Sequence, residues 1–196
     1  MLRRASLCLL IAALPLAACS PKQPPAEATP TPAARDTAAE RRERERLEAL
    51  RRDSIDAAGR ESREAAEREM TARATSVLEE MVFFDYDISE LRPDAQTALG
   101  RKVPVLRANP DLTLEIAGHA DERGSLEYNL ALGMRRAQAV KDYLTGFGID
   151  AGRLTITSFG EDRPLEEGSG EDAWARNRRG EFVITAGGSP LILPGN

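Results

Sequence analysis

The stretch "LTLEIAGHADERGSLEYNLALGMRRAQAV", Leu112 to Val140, decides the fold. Leu112, Leu114 and Ile116 alternate with polar residues, the pattern of a strand with one face on a core, and the alternation ends at Gly118. From Leu126 the period changes. At about 100° per residue, Leu126, Leu130, Ala137, Val140 and Leu144 share one stripe that should pack on a sheet, so a long helix is predicted from about Leu126 to Gly146. Asn129, Leu132 and Arg136 project along one flank of that stripe, while Arg135 points to water. The adjacent arginines are therefore not equivalent, and Arg136 is expected at the boundary of core and solvent.

Outward from this unit, "VFFDYD" (82–87) reads as a buried strand running into a loop. "RPDAQTALGRKVPVLRANP" reads as a helix with Pro93 in its first turn and a stop at Asn109 and Pro110. "RLTITSFG" gives a third strand, "EDAWARN" a short helix and "GEFVITA" a last strand. The order β-α-β-α-β-(α)-β predicts an α+β two-layer sandwich with a mixed sheet, over residues 81–186. The remaining "GGSPLILPGN" (187–196) is expected as a tail covering a sheet edge.

The N-terminal part has a different character. "MLRR" is a positive n-region, "LCLLIAALPL" an apolar segment too short to span a bilayer, and "LAAC" places small residues before Cys19. These features resemble a bacterial lipoprotein signal over residues 1–18, which implies acylation of Cys19, and Ser20 after it resembles outer-membrane sorting. An ordinary secretory signal cut after Ala18 is the plainer alternative. Residues 19–37 are rich in Pro, Ala and Thr and read as an extended tether. Residues 38–80 turn to Glu, Arg and Ala, with Leu47, Leu50 and Ile55 too sparse to sustain heptads, so a solvated, fraying helix laced with ion pairs is expected.

Composition removes several function classes. With 196 residues, one His, two Cys and a net charge of −5, the chain has no multi-His metal centre and no disulfide framework. Its basic residues are interleaved with acids, which argues against nucleic acid as a partner. His119 stands beside Asp121 and Glu122 but lacks a nucleophile or ligand spacing, so it is expected as a turn residue whose ring hydrogen-bonds locally. No cofactor, metal or catalytic residue is expected. Trp174 should dock the short helix on the core, and Asn177 to Arg179 should fix the last turn through hydrogen bonds.

Asp121 follows the second strand, in a turn that leads into the helix carrying Arg136. Two uses are open. The pair could form a plain salt bridge closing the turn. Alternatively it could receive a ligand bearing both a cation and a carboxylate, the second suited to the planar fork of an arginine. A zwitterionic amino-acid end would satisfy both.

"FDYDISELRPDAQTAL", "GHADERGSLEYNLALGMRRAQAVKDYL", "SFGEDRPL" and "WARNRR" together resemble the OmpA-like C-terminal domain family, its peptidoglycan-associated lipoproteins above all, over about residues 82 to 185. The resemblance implies an outer-membrane, lipid-anchored protein whose periplasmic domain grips the meso-diaminopimelate of peptidoglycan stem peptides without cleaving them. On the matching positions Asp121 would take the ammonium and Arg136 the carboxylate. Asn129 would order the site, Leu132 would give an apolar wall, and Tyr86 and Asp87 would line the opposite side. It also implies a Tol-Pal system acting in envelope integrity and division, with TolB and other Tol components as partners; a module acting mainly on such proteins is the alternative. Where the family commonly reads GHTDERG and ALGERRA, this chain has Ala120 and Met134. By helix angle Met134 should spare the pocket, whereas Ala120 removes a hydroxyl near Asp121.

Overall fold

The computed structural model describes residues 37–195, which fall into two compact units that divide between Ala49 and Leu50. The expected signal, Cys19 and the tether up to residue 36 lie outside the described residues. Helix α1 (Ala38–Glu79) is built from strong helix formers. Its start is a reciprocal cap: Thr37 Oγ1 accepts from Glu40 N at 3.3 Å, and Thr37 N donates to Glu40 Oε2 at 2.9 Å. Ion pairs one turn apart join Arg68 to Glu64 and Arg73 to Glu69. The helix is exposed as far as Met70, but Ala74 and Leu78 near its end are buried in the core. Its last turns are thus packed, where a solvated helix was expected throughout.

The second unit continues with β1 (Val82–Phe83), α2 (Pro93–Ala108), β2 (Thr113–His119), α3 (Leu126–Gly146), a 3-10 turn, β3 (Leu154–Gly160), α4 (Glu171–Asn177) and β4 (Arg179–Ala186). The strands form one sheet in the order β1-β4-β2-β3. β2 and β3 are parallel and the other pairs antiparallel, so the mixed α+β sheet expected from the sequence is what forms. Leu114, Ile116, Leu154 and Phe182 point from the sheet into a core shared with Leu99, Val103 and Leu106 of α2 and Ala137, Val140 and Leu144 of α3. Burying side chains of this size contributes roughly 1.5–3 kcal/mol each, against the entropy of ordering them.

Three details depart from the sequence pattern. On α3, Leu126 is 43% exposed and Leu130 half-buried, while Asn129, Leu132, Gly133 and Arg136 are buried. The helix is rolled toward what seemed its flank, because Gly133 lies directly against the backbone of Gly118 in β2. Arg136 is consequently 0% exposed, far inside the expected boundary. The C-terminal tail covers no sheet edge. It crosses α1 and α2: Leu191 is buried in the core, Leu191 N donates to Thr71 Oγ1 at 3.1 Å, and Ile192 exchanges two 2.8 Å hydrogen bonds with Asn109.

Candidate functional site

Three chain segments meet at one end of the sheet. The first is the loop after β1, where Asp87 has φ 57°, a left-handed conformation that Asp tolerates better than most residues. The second is the turn after β2, which passes through Gly124 at φ 119° before Ser125 caps α3 by accepting from Tyr128 N at 3.2 Å. The third is the first three turns of α3, as far as Arg136. Between them lies a cavity of about 100 Å³, and all six residues singled out from the sequence line it: Tyr86, Asp87, Asp121, Asn129, Leu132 and Arg136. Ala120, Arg123, Gly124 and Tyr128 complete the wall, and Met134 stays outside it.

Arg136 is held by backbone. Its Nε donates to Ile88 O at 2.9 Å, Nη1 to His119 O at 2.7 Å and Nη2 to Asp85 O at 3.0 Å. These three bonds fix the loop after β1 against β2, and they leave two of the five guanidinium N–H groups unused. Burial pulls the Arg136 guanidinium down to about 10, opposed by the nearby charge of Asp121, so it is cationic at neutral pH. Among the described residues no carboxylate pairs with it directly.

Asp121 is 4% exposed and is not bonded to Arg136, so the turn-closing salt bridge weighed from the sequence does not form. Its cationic partners among the described residues are Arg123, bidentate at 3.1 and 2.7 Å, and Arg178 at 3.2 Å. Burial pushes the Asp121 carboxyl up, but the hydrogen bonds from Arg123 and Arg178 outweigh it and hold the group below its usual range. An ionised acid this well supplied with donors is a charge holder and a poor proton carrier.

Around this pair, Asn129 Nδ2 donates to Asp121 O at 3.1 Å and also to Glu161, tying the turn to β3's end. Tyr128 donates its hydroxyl to Asp87 across the mouth. Arg123 and Arg178, the cations on Asp121, are site residues that sequence reasoning missed, as is Tyr128. Arg123 sat in the quoted turn without an evident partner; Arg178 lies 57 residues from Asp121, and only the fold joins them.

Two other expectations are corrected. His119 ends β2 and is no turn residue: its ring is buried against Phe159, Glu181 Oε2 lies 3.4 Å from Nε2, and among the described residues neither ring nitrogen has a hydrogen-bond partner. Trp174 does not dock on the core. It is half-buried, donates its indole N–H to Glu122 at 3.0 Å, and stacks on the Arg123 guanidinium at 4.1 Å. The expected role of Asn177 holds, since its Oδ1 accepts from Leu165 N and Glu166 N and its Nδ2 donates to Glu166 O.

Among the described residues no group of three or more His, Cys, Asp or Glu could hold a metal ion, and no helix is long and apolar enough to cross a membrane.

Residues 83–178 match the OmpA family. The chain is 41% identical over 109 residues to a peptidoglycan-associated lipoprotein of Brucella melitensis, a match covering 56% of this chain and 65% of that protein. Over 100 residues it is 45% identical to one from Pseudomonas putida, covering 51% of this chain and 60% of that protein. It thus spans less than two thirds of the length of these relatives. The crystal structure of the peptidoglycan-associated lipoprotein from Burkholderia pseudomallei is similar at 36% identity and a TM-score of 0.53, covering 54% of this chain and 89% of that one.

Proposed function

The chain belongs to the OmpA family, and on that premise we propose that it anchors the outer membrane to the cell wall by binding peptidoglycan stem peptides without cleaving them. The observation that carries this reading is Arg136: a wholly buried guanidinium with N–H groups to spare, no direct carboxylate partner among the described residues, and a small cavity in front of it. Burying such a charge is costly unless an anion completes it. A ligand carboxylate does so, and Asp121 across the cavity supplies the opposite charge for an ammonium. The side-chain end of meso-diaminopimelate carries both groups on one carbon. Leu132 packs its aliphatic stem, Asn129 orders the turn, and Tyr86 and Asp87 close the far side.

At the other end, acylation of Cys19 would hold the chain in the membrane, with the tether and α1 giving reach. Residues facing the mouth, the exposed Tyr86 and Tyr128 among them, suit a protein partner as well. TolB and other Tol components are the partners proposed, which connects the protein to envelope integrity and cell division.

The test is co-sedimentation of the chain with diaminopimelate-type sacculi, together with calorimetry against a meso-diaminopimelate stem peptide and its lysine counterpart. Selective binding to the first, lost in Asp121→Ala and Arg136→Ala chains that still fold, is the expected outcome. Retention by both variants would remove the site.

A further inference from the structure

Asp121 has no acceptor position left for a ligand. A carboxylate offers about four. Oδ1 accepts from Arg123 N at 3.2 Å and Arg123 Nε at 3.1 Å, and Oδ2 accepts from Arg123 Nη2 at 2.7 Å and Arg178 Nη1 at 3.2 Å. Three of the four donors belong to one residue. An ammonium arriving at Asp121 therefore meets a place already filled by the protein's own cation.

The two arginines differ in freedom. Arg178 is fixed: its side chain is buried, Nε donates to Phe84 O at 3.1 Å, and Nη2 pairs with Glu171 at 2.7 Å. The Arg123 side chain is 29% exposed and sits in a turn, its guanidinium stacked between Tyr86 at 4.0 Å and Trp174 at 4.1 Å. Glu171 Oε2 lies 3.7 Å from its Nη2, on the solvent side. Arg123 can leave Asp121 without breaking a strand or helix, and a second carboxylate is waiting for it.

We infer that Arg123 is a built-in competitor for the ammonium subsite: it neutralises Asp121 in the empty protein and is displaced when an amino-acid end binds. This rests on the wall-binding reading above and adds a selectivity rule to it. A lone amine, such as a lysine side chain, would only exchange one cation on Asp121 for another and gain little. A zwitterionic end makes the same exchange but also completes Arg136, which nothing in the empty site does. The competitor thus subtracts a similar amount from both ligands and leaves bound only the one that engages both charges.

The chain's single tryptophan reports the movement, because Trp174 is one face of the Arg123 stack. The full chain and its Arg123→Ala and Arg123→Lys variants are titrated with the meso-diaminopimelate and lysine stem peptides, by calorimetry and by Trp174 emission. In the parent chain, emission shifts as the diaminopimelate peptide saturates it. Arg123→Ala binds that peptide at least about fivefold more tightly, equivalent to a partly exposed ion pair removed, shows no ligand-dependent shift, and acquires measurable affinity for the lysine peptide. Arg123→Lys, with a cation but no fork, falls between. Weaker binding by a folded Arg123→Ala, or saturation of the parent without an emission change, overturns the competitor. Binding by Arg123→Ala alone supports it. No binding by any chain, or unchanged binding by Asp121→Ala, sinks the wall-binding reading itself and the competitor with it.

Discussion

Gly133 of α3 rests on Gly118 of β2 with no side chain between them: a Cβ built on Gly118 would run into the Gly133 carbonyl, and one on Gly133 would collide with Ser158 Oγ and the Gly118 carbonyl. This contact rolls Arg136 and Asn129 into the fold, so it positions the site as well as the helix. Gly118→Ala should cost about 2 kcal/mol or more, since backbone must move to admit the methyl. Urea denaturation measures this, and a loss under about 0.5 kcal/mol would show that α3 can lift off the sheet freely.

Lys102 ties α1 to the domain. Its buried Nζ donates to the carbonyls of Val77, Leu78 and Glu80 at 2.8, 2.9 and 2.6 Å, at the end of the helix where carbonyls lack partners, and lies 4.1 Å from the centre of the Phe182 ring. Burial pulls its ammonium down to about 7. Lys102→Met should change global stability little, because it removes the cost of a buried cation along with the bonds. Locally the effect is larger: amide exchange should accelerate in the last turn of α1 and spare β2 and β3. Unchanged protection in that turn would deny Lys102 its capping role.

Much of this was legible in the sequence because it is local. The Pro93 start of α2, the alternation of β2 and the bounds of α3 rest on neighbouring residues, and the structure reproduces them. Asp121, Asn129, Leu132 and Arg136 come together because the turn after β2 and the start of α3 are contiguous in the chain, and Tyr86 and Asp87 join them because Arg136 bonds the loop after β1. What escaped was set at long range. The roll of α3 depends on a glycine contact between two elements, the destination of the tail on Thr71 and Asn109, and the partners of Asp121 on an arginine from the far end of the domain. A helical wheel places Arg136 on a flank; it cannot know that a glycine pair rolls that flank onto the sheet.

His119 makes the fold sensitive to acid. Burial, aided by the positive charges of Arg179 and Arg163 and opposed by Glu181, pulls its ring down to about 4, against about 6.5 when unfolded. Between those values the unfolded chain binds the proton and the folded one does not, so stability falls as pH drops through that window, by at most about 1.4 kcal/mol per pH unit. Urea midpoints at pH 7.5, 6 and 5 should decline in the parent and stay nearly level in His119→Phe, which keeps a ring against Phe159. Parallel curves for the two chains would assign the acid sensitivity to other groups.

Ligand binding should not share that sensitivity. Asp121 is held below the usual carboxylate range and Arg136 is pulled down only to about 10, so the two charges proposed to meet the ligand persist across the whole interval between. His119 meets the site only through its backbone oxygen, which Arg136 occupies. Affinity for a diaminopimelate stem peptide is therefore expected to be level from about pH 5 to about pH 8, under conditions where the protein stays folded. Calorimetry at four pH values separates the possibilities. A level profile fits binding set by Asp121 and Arg136, whereas a pH-dependent step that disappears in His119→Phe would bring the imidazole into the binding equilibrium and require a different electrostatic account of the cavity.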